Sequence, residues 1–186
     1  MAVFVIEHLE PRVWKWCTIE YAHISKTVGK KSLWFTNTNS KVLKKYGRVL
    51  KKSVSKLGLK NACVLDPEAK KVLTPKEAKK FKFFIFGGIL GDYPPRKRTK
   101  KELTTRLKGA AARNIGREQF STDNAVFVVQ QIVKGRKMRD IKFVDGAEII
   151  ISKGESIQLP YKYAVVKGKP FMSKALIKFL KKKKGF

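Results

Sequence analysis

Apolar residues in this chain fall in short blocks separated by lysine-rich stretches, and the period within each block decides which element it predicts. Residues 83–86, Phe-Phe-Ile-Phe, are continuously apolar, the pattern of a strand buried on both faces. Residues 2–9 read as a second strand, apolar as far as Ile6, and residues 62–65 as a third that closes at Asp66 and Pro67. Residues 32–36 read as a further short strand. Elsewhere the period changes. Trp14, Cys17, Tyr21, Ile24 and Val28 recur at helical spacing until Gly29 stops them, so residues 13–28 predict a helix. Residues 41–56 carry a basic amphipathic pattern that predicts a helix ending at Gly58. Thr74-Pro75-Lys76-Glu77 is a helix start, with Thr74 as cap, Pro75 in the first turn and Glu77 placed to return the capping bond. Residues 99–107 predict a short helix and 111–115 a strand. Residues 121–133 predict a helix capped by Ser121 or Thr122, with Asp123 in its first turn. Residues 142–144, 148–151 and 161–166 read as short strands, and 172–182 as a final helix.

Strands separated by helices predict an α/β fold with a mostly parallel sheet covered on both faces. One compact domain over residues 1–186, ending in a basic tail at about 181–186, is the simplest parsing. Ligands of such sheets bind outside the carboxyl ends of the strands. That rule gathers Glu7, His8, Thr36, Asp66 and the loop of residues 87–96 onto one rim.

The loop carries the chemistry. In FFIFGGILGDYPPRKR, Gly87, Gly88 and Gly91 allow a tight turn and a close approach to a ligand, and Pro94 and Pro95 stiffen the segment beyond the turn. Charge adds a partner. The chain has 43 Lys and Arg against 14 Asp and Glu, a formal net charge of +29, which is tolerated most easily beside a polyanion. Nucleic acid or a ribonucleoprotein is the expected partner, because a surface built only for solubility would carry Glu in similar number. Candidate phosphate contacts are Lys97, Arg98, Lys100 and Lys101 beside the loop, and Lys44, Lys45, Lys51, Lys52 and Lys56 in the basic stretch.

Other chemistries lack their residues. Cys17 and Cys63 are far apart and have no zinc-ligand spacing, and His8 and His23 are too scattered for a metal cluster. No metallohydrolase, serine-hydrolase or P-loop signature occurs. The first apolar run is too short for a signal peptide or a membrane span, so a cytoplasmic protein is expected.

Several segments together carry a family resemblance. These are VIEHLE, WxxxEY at residues 16–21, LDP at 65–67, FGGILGDYPPR at 86–96, STDNA at 121–125 and LPYKY at 159–163. In this order they resemble a small SPOUT-class methyltransferase family of archaea and eukaryotes, long described as predicted RNA methyltransferases, whose yeast member methylates an arginine of a small-subunit ribosomal protein. The resemblance covers nearly the whole chain. It implies a deep trefoil knot toward the C-terminal half and an S-adenosylmethionine pocket built from the knotted loops, with S-adenosylhomocysteine as product and no metal. A homodimer is possible from the class, and a monomer remains open.

Carried onto this chain, the resemblance places the methyl donor against Phe86, Gly87, Gly88, Leu90, Gly91, Asp92 and Pro94, then Asn114, Ile115, Gly116, Gln119 and Phe120, and then Ser121, Thr122 and Asp123. Asp92 is the first candidate for polar control of the acceptor, and Arg96 can hold a phosphate or carboxylate. Glu118, Glu7 and His8 follow as candidates for proton transfer. The acceptor stays open between RNA or a ribosomal ribonucleoprotein and an arginine of a ribosomal protein. A non-catalytic RNA- or ribosome-binding protein is a third reading.

Overall fold

The computed structural model describes residues 1–91, 96–152 and 154–183. Its centre is a parallel sheet of six strands. In chain order these are β1 (Val3–His8), β2 (Leu33–Thr36), β3 (Arg48–Val49), β4 (Ala62–Leu65), β5 (Phe83–Gly88) and β6 (Ala111–Arg113). They lie in the order β3-β2-β1-β5-β4-β6, with Phe4 opposite both Leu33 and Phe84, and Val64 between Ile85 and Ala112. The fold is the predicted one, α/β with a mostly parallel sheet, and the continuously apolar blocks became its inner strands.

Alternation along those strands sorts side chains onto two cores. Phe4, Ile6, Phe84 and Phe86 pack with α1 (Lys15–Val28) and α4 (Thr122–Val133) on one face. Val5, Val64 and Ile85 pack with Val54 and Leu103 on the other. Phe84 and Ile85 are wholly buried, and burying one such side chain contributes about 1.5–3 kcal/mol. Both cysteines are buried and unbridged, as their isolation in the sequence suggests.

A second, antiparallel sheet follows. It pairs β7 (Phe143–Ser152), β8 (Glu155–Val166) and β9 (Lys169–Pro170) and is closed by α5 (Lys174–Lys183). Ile149, Ile157, Leu159, Tyr163, Leu176 and Leu180 form its core together with Ile19. Helix α1 therefore packs on the parallel sheet through Tyr21 and Ile24 and on the hairpin through Ile19.

Four expectations are corrected. Residues 41–56 are not one helix: Lys41–Lys45 and Val54–Lys56 are 3-10 turns on either side of β3, which pairs with β2. Gly47 costs a helix about 1 kcal/mol relative to Ala, and the sheet edge gives Arg48 and Val49 partners that a surface helix lacks. The predicted strands at 142–144, 148–151 and 161–166 are two long strands of one hairpin, because Ile149 opposite Ile157 continues the pairing. Residues 99–107 divide into α3 (Arg98–Glu102) and a 3-10 turn at Thr104–Arg106. Thr74 does cap α2 (Pro75–Ala78), accepting the Glu77 N–H at 3.3 Å. The Glu77 carboxylate, however, takes the Arg113 guanidinium at 2.7 Å instead of returning a capping bond.

Candidate functional site

A cavity of about 440 Å³ opens at the carboxyl ends of β4, β5 and β6, within the range of small-molecule sites. Strand β4 supplies Leu65 and, past its end, Asp66, Pro67 and Glu68. Strand β5 and its loop supply Phe86, Gly87, Ile89, Gly91 and Arg96. Residues 115–120, with Thr122 and Ala125 at the start of α4, close the third side. Strands β4 and β5 are buried on both faces, so their ends are fixed and the loops beyond them shape the site.

Most of the expected cofactor contacts lie on this wall: Phe86, Gly87, Gly91, Ile115, Gly116, Gln119, Phe120 and Thr122, with Arg96 and Glu118 at its edge. Asp92 and Pro94 lie outside the described residues. Five others are placed elsewhere. Gly88 faces the core, where an added Cβ would sit 2.3 Å from the Tyr21 hydroxyl and 2.9 Å from Ile6. Leu90 turns to the α1 side, its N–H donating to Glu10 Oε1 at 3.0 Å. Asn114 is a structural staple that donates to the Ala69 carbonyl at 2.7 Å and accepts the Gly116 N–H at 3.1 Å. Ser121 donates to Asp123 Oδ1 at 2.7 Å, and Asp123 Oδ2 bonds His23 Nδ1 at 2.7 Å. These two therefore tie α4 to α1 and do not reach the cavity. Gly91 is the glycine the loop requires, because a Cβ there would lie 2.1 Å from the Gln119 amide and 2.4 Å from the Tyr161 ring.

The proton-transfer candidates also separate. Glu7 is buried, accepting from the Thr36 hydroxyl and from the Val54 N–H. His8 is buried with Nδ1 bonded to the Tyr21 hydroxyl at 2.9 Å, and burial lowers its pKa. Neither lines the cavity, and both hold strand ends in place. Glu118 does line it, but its own backbone N–H and the Lys162 ammonium at 3.0 Å hold the carboxyl below the usual range, which makes it a weak proton acceptor.

Among the basic candidates, Arg98 is committed to structure. It bonds Glu10 at 2.9 Å and Glu102 at 2.7 Å, and Glu10 in turn braces Leu90, so the ion pair sets the path of the cavity loop. Lys97 pairs with Glu68 at 3.2 Å. Lys100 and Lys101 are exposed, as are Lys44, Lys45, Lys51, Lys52 and Lys56. The Lys52 carbonyl accepts the Asn37 N–H just past β2, and the Asn37 amide donates to the His8 carbonyl. The basic stretch thus reaches the same rim of the sheet as the cavity, at its other end.

Two acidic residues were not singled out as site residues. Asp66 is buried on the cavity wall, accepting the Thr104 hydroxyl at 2.7 Å and the Glu68 N–H at 2.9 Å, so it shapes the turn after β4. Glu20 is buried on α1 and bonded by the Trp16 side chain. Burial, reinforced by the nearby Asp123 carboxylate, pushes its carboxyl well above the usual range, against the lowering effect of the Trp16 bond. Glu20 lines a slot of about 10 Å³, together with Trp16, Leu90, Ser121 and Tyr161. Ile89, Gly91, Phe120 and Thr122 line both the slot and the larger cavity. The signal for Glu20 was its place in WxxxEY, which reads as an ordinary turn of helix until the slot is seen. Among the described residues no group of three or more His, Cys, Asp or Glu could hold a metal ion, and no helix is long and apolar enough to cross a membrane.

Comparison with known proteins gives the chemistry of this arrangement. A family model described as protein arginine N-methyltransferase SFM1-like matches residues 3–185. The Saccharomyces cerevisiae protein arginine N-methyltransferase SFM1 is 33% identical over 203 residues, covering 96% of this chain and 94% of that protein. The crystal structure of the yeast enzyme complexed with S-adenosylmethionine (SAM) superposes with a TM-score of 0.89 at 33% identity, covering 99% of this chain and 92% of that one. A Trm10 structure from Thermococcus kodakaraensis shares the fold at a TM-score of 0.58 and 21% identity, covering 75% of this chain and 96% of that one.

Proposed function

Because the chain belongs to the SFM1-like family of protein arginine N-methyltransferases and is an S-adenosylmethionine-dependent methyltransferase, we propose that it methylates an arginine side chain of a protein. The observation that carries this reading is likeness to a protein arginine methyltransferase along 96% of the chain, combined with a cavity built from the loops that the sequence marks. An RNA acceptor, the first reading of the charge, has weaker support. The basic rim is better explained as a surface that holds RNA while the cavity handles a protein, as an enzyme acting on a ribonucleoprotein requires. Residues 1–186 act as one unit in this reading, in the cytoplasm.

The cavity suits the cofactor. Phe86, Ile89, Ile115 and Phe120 offer apolar walls for an adenine ring, and Thr122 at the start of α4 lies against the cavity, where the first N–H groups of a helix suit a carboxylate. Arg96, at the rim, carries a charge of the right sign for that carboxylate. When bound, the cofactor supplies an electrophilic methyl group on a sulfonium. The protein's part is to hold the acceptor nitrogen in line with that methyl group and to keep water out. Arg96, which lines the cavity, and Asp92, next to Gly91 in the sequence, are the residues we assign to that control.

The test uses a tritiated methyl donor, the purified protein and a cell extract from its own source. Label in acid-precipitable material should disappear on protease digestion and survive ribonuclease. Label removed by ribonuclease alone would overturn the arginine reading and restore RNA as acceptor.

A further inference from the structure

Building on the arginine reading, we propose that Glu20 is the carboxylate that receives the acceptor guanidinium, with Trp16 setting its orientation. An enzyme that takes a cationic side chain out of water must replace the lost hydration with an opposite charge. A guanidinium presents a planar fork of donors that a carboxylate matches. Among the described acidic groups around the cavity, the others are already engaged. Glu10 holds Arg98 and Leu90, Glu118 holds Lys162, Glu68 holds Lys97, and Asp66 accepts Thr104 and the turn amide. Asp123 is taken up by His23, Ser121 and Asn124. Among the described residues Glu20 has no cationic partner, and it is 5% exposed. A carboxyl buried without a counter-charge is costly. Glu7 is offset by the Thr36 hydroxyl and the Val54 N–H, whereas Glu20 stands in a slot that opens to the cavity, where a cationic ligand would supply the missing charge.

The slot gives the geometry. It has room for about one water, which is the size of a single NH2 edge of a guanidinium. Because the slot and the larger cavity share Ile89, Gly91, Phe120 and Thr122, a guanidinium with one edge against Glu20 directs its other nitrogens toward the cofactor space. Methylation leaves the acceptor with the charge it began with. A nitrogen lone pair forms the new N–C bond, the C–S electron pair stays on sulfur, and one N–H proton departs to solvent. Glu20 fixes which nitrogen points at the methyl group. The WxxxEY segment thereby gains a role: Trp16 and Glu20 serve the acceptor, and Tyr21 serves the core through His8.

The test compares wild type, Glu20→Gln and Glu20→Asp. S-Adenosylhomocysteine affinity is measured by calorimetry, and N-acetyl-arginine amide binding to the protein saturated with S-adenosylhomocysteine is followed by NMR. Methylarginine is measured in the acid hydrolysate of labelled extract protein. Glu20→Gln should leave S-adenosylhomocysteine affinity within about twofold, weaken the arginine amide by roughly tenfold or more and lower methylarginine by roughly a hundredfold, as expected for loss of a charge-assisted bond. Glu20→Asp keeps the charge one methylene short, so it should retain arginine-amide binding better than Gln. It also keeps the test decisive if Gln impairs folding. A Glu20→Gln protein with wild-type arginine-amide affinity and wild-type methylarginine yield overturns the role of Glu20 and leaves the arginine reading standing. A wild-type protein that labels protein but yields no methylarginine overturns both.

Discussion

Replacing Gly88 with alanine should damage the fold rather than the cofactor site. Gly88 ends β5 beside β1, and a Cβ there would lie 2.3 Å from the Tyr21 hydroxyl oxygen, 2.9 Å from Ile6 and 3.1 Å from the Glu7 carbonyl oxygen. Ile6 is 0% exposed and Tyr21 1% exposed, so neither has space to retreat into, and moving the Tyr21 hydroxyl breaks its 2.9 Å bond to His8. Overpacking of this kind costs roughly 1–3 kcal/mol, and a buried donor and acceptor left unpaired cost about 1–3 kcal/mol more. In a protein of this size each kcal/mol lowers the melting temperature by roughly 2–4 °C, so a fall of about 4–24 °C is expected in a thermal melt followed by circular dichroism. Gly91→Ala is the paired control. Its Cβ would meet the ends of the Gln119 and Tyr161 side chains, which can swing aside at small cost in stability but at the expense of the cavity wall. It should lose SAM affinity in calorimetry while melting within a few degrees of wild type. A Gly88→Ala protein that melts like wild type but no longer binds SAM would refute this placement.

Other expectations concern charge. The Glu20 carboxyl has a raised pKa in the fold, so the folded state favours its neutral form. The associated stability is present below the unfolded pKa of about 4.3 and is lost as pH rises toward the folded value. Glu20→Gln should accordingly melt with wild type near pH ~4 and above it near pH ~8, and equal melting at both would remove the burial argument. If the basic rim holds RNA, log affinity for a structured RNA should fall with log salt. Lys100→Ser, Lys101→Ser, Lys51→Ser and Lys52→Ser together should reduce that slope by roughly 0.7–0.9 for each phosphate that is no longer neutralised; an unchanged slope means these lysines face only solvent. Arg98→Ala should weaken SAM binding without changing the RNA slope, because its partners are Glu10 and Glu102.

How far the sequence could be read depended on whether a residue's role was local. The apolar runs of β1, β4 and β5 needed only their own composition to announce buried parallel strands, and Thr74 needed only its neighbours to become a cap. The loop of residues 86–91 was legible as a ligand loop because its glycines and the motifs around it are unusual together. Roles set by distant partners were not legible. Residues 41–56 have the charge pattern of a helix, but the edge of β2 claims Arg48 and Val49. Gly88 looks like its neighbours Gly87 and Gly91 in sequence, yet only a folded Tyr21 shows that it faces the core. Arg98 read as one cation in a basic run until Glu10, far away in the chain, was found against it. Glu20 is only the acidic member of WxxxEY in the sequence, and the β5 loop and the start of α4 closing over it show a slot.

The claim that this protein methylates arginine in a protein is tested most directly by mass spectrometry of proteins from cells of its own source, with and without its gene. The account predicts a peptide carrying one methyl group on an arginine in the first cells and the unmodified peptide in the second, restored by the wild-type gene but not by the Glu20→Gln variant. Identical protein methylation in both cells, with a methylated nucleoside missing from the RNA of the cells that lack the gene, would contradict it.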